Sequence, residues 1–280
     1  MSVSILQISD THLPSVLEGE ISAGIQPWKR TGDLLNTVRQ WIADEAIPID
    51  FLIHTGDIVH RGHIANDNGE GTRMAMERIQ TLTQRVYWVV GNHDNRLALE
   101  EWVGAMPGDS LVGSSRWAYH FIERGERIVV LDARGPAEYD PQGELSDDQL
   151  HALETLLRTT REPASIFLHY PPVPLGSDWI DRTMLVRNGD ILHRLLRSYS
   201  PRVRGVFFGH IHRSSCSLKD GILYASCGST TMHFPNWPGA RTAVPSGEPI
   251  AFAQYIQITE FGVHIKPQWI SLQDHKMGPL

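Results

Sequence analysis

Seven side chains in this 280-residue chain have the types and spacing to hold metal ions: Asp10, His12, Asp57, Asn92, His169, His210 and His212. They fall in short motifs: Asp10-Thr11-His12, Gly56-Asp57, Gly91-Asn92-His93-Asp94, Leu168-His169-Tyr170-Pro171, and Gly209-His210-Ile211-His212. Each motif follows within a few residues of an apolar run that reads as a strand. In sheets with parallel strands, ligands collect at the carboxyl ends of the strands, so motifs placed there converge. Three oxygen donors and four imidazoles are too many for one tetrahedral zinc ion and suit two divalent ions sharing a carboxylate. A mixed oxygen and nitrogen set without thiolate suits Mn²⁺, Fe or Zn²⁺. Two such ions about 3.5–4 Å apart can hold the attacking and leaving oxygens of a displacement at phosphorus. Gly56, Gly91 and Gly209 each stand directly before a ligand, where a sharp turn must aim the next side chain over the sheet edge.

Taken one at a time the motifs are weak. Asp10 reads equally as a helix cap or turn residue, Gly56-Asp57 as ordinary turn chemistry, and His169 as a satisfied core histidine. Their joint order and their shared position after strands separate them from those readings. The chain holds 14 histidines, and the others need different treatment. His54 falls inside a strand and reads as core. His60 and His63 follow Asp57 beside Arg61 and read equally as pocket lining or loop surface. Arg96 follows the Gly-Asn-His-Asp motif and could position a phosphate or cap a helix. His233 precedes a long loop and is a further pocket candidate. His120, His151, His193, His264 and His275 read as structural or solvated.

The elements that must position these residues alternate. Residues 3–8, 50–54, 85–90, 165–168 and 203–208 read as strands, and 33–46, 73–82, 146–160 and 189–199 as helices, Ser146 being an N-cap. This alternation is the mark of a largely parallel sheet flanked by helices. Residues 117–122 and 127–131 read as a hairpin, and Asp220-Gly221 is a two-residue turn between two further strands. The chain after residue 208 reads as an antiparallel meander with strands at 252–258 and 263–265, interrupted by a Pro/Gly-rich loop at 234–249.

Composition bounds the rest. With 25 basic and 32 acidic residues the formal charge is −7, and no basic stripe is visible, which argues against nucleic acid as a partner. Two cysteines do not make a disulfide framework. No apolar run approaches the roughly 20 residues of a membrane span, and the first residues lack a signal-peptide pattern, so a cytoplasmic location is expected.

In order, the set D-x-H, G-D, G-N-H-D, H, G-H-x-H resembles the calcineurin-like metallophosphoesterase superfamily. Within it the chain is similar to the class III cyclic-nucleotide phosphodiesterases and related glycerophosphodiesterases, over roughly the first 230 residues. The stretch from Gly143 to Leu150 is similar to a linker-helix start in that branch. The resemblance implies an α/β fold, a four-layer α/β/β/α sandwich with two mixed central sheets, formed by one domain over residues 1–280 with a lid or oligomerisation segment near 230–250. It implies two divalent ions per chain (Mn²⁺, Fe²⁺/Fe³⁺ or Zn²⁺). Asp10, His12, Asp57 and His212 would hold the first, and Asp57, Asn92, His169 and His210 the second, with Asp57 bridging. His93 would face the phosphate as hydrogen-bond donor or acid, oriented by Asp94. Tyr170 stands where many relatives have another histidine. His60, Arg96 and His233 are the candidates for contact with substrate.

The expected activity is therefore hydrolysis of a small soluble phosphodiester, a 3′,5′-cyclic nucleotide or a glycerophosphodiester. The competing readings are a phosphomonoesterase or protein phosphatase of the same superfamily, or a non-catalytic interaction module on the same fold. The expected partner is that small molecule, with no nucleic acid and no membrane, and with self-association open.

Overall fold

Runs of apolar residues with no polar alternation make strands buried on both faces, and the centre of this protein is built from them. In the computed structural model, which describes residues 2–13, 31–60, 62, 69–113, 116–241 and 251–270, β1 (Val3–Ile8), β2 (Phe51–His54) and β3 (Val86–Trp88) run parallel. Ile5 lies opposite Phe51, and Leu52 opposite Val86. β11 (Ala251–Thr259) and β12 (Gly262–Ile270) complete a five-stranded sheet of order β12-β11-β1-β2-β3, both joined antiparallel.

A second, seven-stranded sheet has the order β4-β5-β6-β7-β8-β10-β9. Its members are β4 (Asp109–Ser110), β5 (Tyr119–Glu123), β6 (Glu126–Val130), β7 (Ala164–Phe167), β8 (Val203–Phe208), β9 (Ser215–Lys219) and β10 (Ile222–Ser226). β6, β7, β8 and β10 run parallel, and the edges are antiparallel. Both hairpins expected from sequence form, with left-handed pairs Arg124-Gly125 (φ 49° and 83°) and Asp220-Gly221 (φ 49° and 79°) at their tips.

Strand alternation sorts the core into layers. In β6, Ile128 and Val130 pack with the first sheet, while Val129 packs on the other side. That other side is covered by α4 (Asp147–Thr159) through Leu150, Leu153 and Leu157, and by α6 (Gly189–Arg197) through Leu192 and Leu196. The first sheet packs with α1 (Thr31–Asp44) through Leu34, Leu35 and Val38, and with α2 (Glu70–Gln80) through Met76 and Ile79. The result is the α/β/β/α layering that the resemblance implied. Ser146 caps α4, its hydroxyl accepting from the Gln149 N–H at 3.4 Å.

Four features depart from the sequence reading. Two short helices, α3 (Arg96–Val103) and α5 (Asp178–Thr183), and the two-residue β4 carry too little periodicity to be read in advance. The late strands are not one meander. β9 and β10 extend the second sheet through a parallel β8–β10 pair, whereas β11 crosses to pair with β1. Each sheet had an open edge beside its central strand, and backbone N–H and C=O groups there need partners. Residues 14–30, Arg61, His63 and residues 242–249 of the late loop lie outside the described residues.

Two polar ties hold the sheets in register below the site. Gln7 of β1 is fully buried, and its amide donates to Thr55 Oγ1 and to the Phe208 carbonyl of the other sheet, both at 3.1 Å. Its Oε1 accepts from Gln254 of β11 at 2.9 Å. On the far side the Tyr119 hydroxyl and the Trp117 indole both donate to the Trp88 carbonyl, at 3.0 and 2.9 Å. Buried polar groups stripped of a partner each cost about 1–3 kcal/mol. Gln7→Ala strands the Gln254 amide, so it should lower unfolding free energy by about 2–4 kcal/mol, the orphaned group plus the lost packing. Urea denaturation of the metal-free protein checks this, and a change under half a kcal/mol would mean that water or rearrangement replaces the tie.

Candidate metal centre

The expected ligands all lie just beyond strand ends: Asp10 and His12 after β1, Asp57 after β2, Asn92 after β3, His169 after β7, His210 and His212 after β8. Five of them have left-handed backbone, Asp10 (φ 52°), His12 (42°), Asp57 (56°), His210 (68°) and His212 (52°). Such conformations cost non-glycine residues about 1–3 kcal/mol each and survive only where surrounding structure imposes them. Here backbone bonds impose them. Asp10 N–H donates to Gly56 O and His12 N–H to Asp57 O, each at 3.0 Å, lacing the first loop to the second. The Asp10 carboxylate in turn accepts from His210 N–H at 3.0 Å.

The glycines expected at these turns have measurable reasons. Gly56 has φ +95°, and a Cβ there would sit 2.6 Å from His169 Nδ1. A Cβ on Gly91 would meet Asp57 Oδ1 at 2.2 Å, and one on Gly209 would meet Ser9 Oγ at 1.9 Å. At Gly91 and Gly209 the constraint is close approach of the strand to a ligand, not backbone handedness.

The seven ligand candidates assemble into two buried groups. In the first, His12 Nε2 lies 3.1 Å from His212 Nε2 and 3.6 Å from Asp57 Oδ2, and His212 Nε2 lies 3.5 Å from Asp10 Oδ1. In the second, His169 Nε2 lies 3.4 Å from Asp57 Oδ1, 3.2 Å from Asn92 Oδ1 and 3.0 Å from His210 Nδ1. Asp57 thus turns one oxygen toward each group.

The donor chemistry fits metal ions. In three histidines a carbonyl binds the ring nitrogen that faces away: Thr55 O on His169 Nδ1 (2.7 Å), Pro141 O on His210 Nε2 (2.8 Å) and Met232 O on His212 Nδ1 (3.2 Å). A carbonyl only accepts, so the outer nitrogen carries the hydrogen and the inner one presents a lone pair. Lone pairs facing each other at 3.0–3.1 Å repel unless a cation or a proton lies between them. His12 Nδ1 is buried with no hydrogen-bond partner among the described residues.

Electrostatics agree. Burial drives His12 and His210 well below the usual imidazole range and His212 down to about 3, so these rings are neutral, as ligands must be. Burial also pushes the Asp10 carboxyl up. His169 is the exception: burial would lower it, but the Asp57 carboxylate beside it outweighs burial and lifts it to about 9. Without metal, a proton on His169 therefore does part of the work of a cation.

The remaining candidates are placed as follows. His93 donates its backbone N–H to Asp57 Oδ1 at 2.9 Å, and its ring Nδ1 meets the carbonyl oxygen of His60. Asp94, expected to orient His93, spends its carboxylate on three backbone N–H groups, those of Asp57 (2.9 Å), Gly91 (2.8 Å) and Ile58 (2.7 Å). It holds the loop of the bridging ligand, and the His60 carbonyl is what stands against the His93 ring. His60 itself belongs to the site: its ring stacks 5.4 Å from His93 and lies 5.5 Å from His12. Arg96 does not cap α3, because Asn95 Oδ1 accepts from Ala98 N–H in that role. Its guanidinium lies 3.3 Å from Glu100 and 3.6 Å from Asp132. His233 is buried, with Nδ1 3.1 Å from the His212 carbonyl and its ring 5.0 Å from Trp269. His54 is core, as read: it accepts from Gly56 N–H, pairs with Thr11 Oγ1, and burial holds it down at about 3.

Sequence reasoning missed several supporting residues. Phe234 stacks on His212 at 4.1 Å, Ser229 donates to Asp10 O, and Thr231 donates to Thr11 O. The start of the expected lid, 229–234, is thus a strap packed onto the ligands, while 242–250 lie outside the described residues. Nothing in the types Phe, Ser and Thr signals such a role.

Known proteins resemble this chain in sequence and in fold. The family profile described as calcineurin-like phosphoesterase matches residues 3–214. A 3′,5′-cyclic adenosine monophosphate phosphodiesterase, CpdA, of Pseudomonas aeruginosa is 29% identical over 236 residues, 83% of this chain and 78% of that protein. A 3′,5′-cyclic-nucleotide phosphodiesterase of Nostoc is 29% identical over 240 residues, 84% of this chain and 80% of that one. Among solved structures, a dimetal phosphatase from Danio rerio superposes with a TM-score of 0.65 at 19% identity, over 96% of this chain and 98% of that one. A purple acid phosphatase from yellow lupin gives 0.62 at 14% identity, over 96% of this chain and 52% of that one. The structural likenesses bear on the fold. Among the described residues no helix is long and apolar enough to cross a membrane.

Two measurements test the centre. Asp57→Ala removes a donor from both groups and should abolish binding of both ions, whereas Asn92→Ala removes one neutral donor and should weaken only the second; elemental analysis after desalting should read about two ions in the wild type, near none and about one. Equal losses in the two variants would displace Asp57 from the bridge. The second is proton release. A raised pKa on His169 means its proton is present at neutral pH and must leave before the nitrogen can ligate, so apparent metal affinity should rise with pH between about 6.5 and about 9. Calorimetry of metal uptake in buffers of different ionisation enthalpy reads that proton directly, and uptake without proton release would contradict it.

Proposed function

The chain belongs to the calcineurin-like phosphoesterases, and from that membership we propose that it is a two-metal phosphodiesterase acting on a small phosphodiester, a 3′,5′-cyclic nucleotide foremost. The observation that carries the reading is the similarity, along 83–84% of the chain, to cyclic-nucleotide phosphodiesterases. The buried carboxylate and imidazole groups support the hydrolytic chemistry, and the charge of −7 speaks against a polynucleotide substrate.

Asp10, His12, Asp57 and His212 would hold one ion, and Asp57, Asn92, His169 and His210 the other. Bound there, the ions neutralise charge on the phosphoryl oxygens and lower the pKa of the attacking water. The chain's own groups do the rest. Asp94 sets the position of Asp57 by gripping its backbone, and the Asp57 oxygen in turn holds the His93 backbone N–H. That links the expected acid to the ligand frame through two bonds. Its Nδ1 donates to the His60 carbonyl, which orients the His93 ring beside His12. From there a protonated ring can hydrogen-bond a phosphoryl oxygen or give its proton to the departing ribose oxygen.

Initial rates on a cyclic nucleotide, a glycerophosphodiester and a phosphomonoester, each with Mn²⁺, Zn²⁺ and Fe²⁺, test the reading. The diesters should be preferred, and a faster monoester would overturn it. His93→Ala should lower kcat roughly 10²–10⁴-fold with metal content unchanged. If Nε2 protonates the leaving group, the defect should shrink on bis(p-nitrophenyl) phosphate, whose leaving group needs no proton. Loss of metal in that variant would make His93 a ligand instead.

A further inference from the structure

A cavity of about 320 Å³ opens beside the metal centre, and its wall includes Asp94, Arg96, Arg116, Asp132 and Arg134. All three guanidinium groups are carried by half-buried residues. Such a cluster repels itself unless anions balance it. The carboxylates on the wall do so only in part. Asp94 is spent on three backbone N–H groups of the ligand loops. Asp132, fully buried, accepts the N–H groups of Trp117 and Arg134 at 3.2 and 3.1 Å, and among the described residues only the Arg96 guanidinium approaches it, at 3.6 Å. Arg96 also has Glu100 at 3.3 Å. Arg116 and Arg134 have no carboxylate partner among the described residues. Arg116 donates to the neutral Arg134 carbonyl at 2.6 Å, and Arg134 to the neutral Asp94 carbonyl.

Two half-buried guanidinium groups bound only to carbonyls, facing a solvent-filled space, are arranged as an anion site is arranged. The space starts one residue from His93, because the acceptor of Arg134 is the carbonyl of Asp94. A group bound there can belong to the same molecule whose phosphodiester lies at the metals. We propose that Arg116 and Arg134, with Arg96 at their side, form a subsite for a second phosphate group, so that among linear nucleotide phosphodiesters the enzyme favours those carrying another phosphate. This rests on the reading of the metal centre as the place where the diester reacts.

The test uses two esters with the same reacting centre, thymidine 5′-(p-nitrophenyl phosphate) and its 3′-phosphorylated form, on the metal-loaded protein. The wild type should prefer the 3′-phosphorylated ester by roughly ten-fold or more in kcat/KM, chiefly through KM, as a charge-assisted pair would give. Arg116→Gln should bring the ratio close to one while leaving the rate on the unphosphorylated ester unchanged, and Arg116→Lys, which keeps the charge, should retain part of the preference. Calorimetric binding of thymidine 3′,5′-bisphosphate against thymidine 5′-phosphate reads the same subsite without turnover. If neither ester is hydrolysed but the bisphosphate binds more tightly and loses that advantage in Arg116→Gln, the diesterase reading fails and the subsite stands. A wild-type ratio near one in both rates and binding, or a preference that survives Arg116→Gln, overturns the subsite.

Discussion

The carboxylate of Asp94 is the fastening on which the metal centre depends. It accepts backbone N–H bonds from Asp57, Ile58 and Gly91 and so binds the loop after β2 to the loop after β3. Because Asp57 serves both metal groups, a shift of that loop would move both together. The Asp94 oxygens are buried, and a buried carboxylate is tolerable only when hydrogen-bonded in this way. Its burial tends to raise its pKa, with the neighbouring Asp57 charge adding to that, and the backbone N–H bonds oppose both. A protonated Asp94 would accept less well, so the ordering of the loops and the ionisation of this one group are coupled.

Around that fastening the site stores strain and like charge that the fold must support. Five candidate ligands have left-handed backbone, and several lone pairs and two carboxylates converge among buried side chains. The support comes from neutral groups: carbonyls of Thr55, Pro141 and Met232 behind the imidazoles, N–H groups in front of the carboxylates, and a strap at 229–234 laid over the first loop. Ligands held this firmly before metal arrives do not have to be ordered by it, which favours a defined geometry for the displacement at phosphorus. The Gln7 tie joins both sheets below the same edge, so the strand ends from the two sheets stay in register where they meet.

The functional asymmetry lies beside the metals and not at them. On one side His60 and His93 stack on each other and both meet the His12 ring edge-on. Past Asp94 the wall turns cationic, with Arg116 and Arg134 tied to carbonyls. In a chain of net charge −7 this local reversal of sign marks a direction from which an anionic substrate can approach.

The amino-acid sequence by itself marked the candidate ligands, because the information is local. A short apolar run, a turn residue and an Asp or His place a ligand at a strand end whatever the rest of the chain does. The same locality made the Arg124-Gly125 and Asp220-Gly221 hairpins, the Ser146 cap and the apolar strands legible. Only the tertiary structure decided the partners. Asp94 reaches back 37 residues to Asp57, His210 meets Asp10 across 200, and Gln254 meets Gln7 across 247, and no residue type names its partner over such separations. For that reason the sequence does not tell His60 from loop surface, does not set His233 against the His212 carbonyl, and does not show that the Asp94 carboxylate grips backbone. The late strands divided between two sheets for the same reason: which open edge a strand covers depends on edges formed elsewhere in the chain.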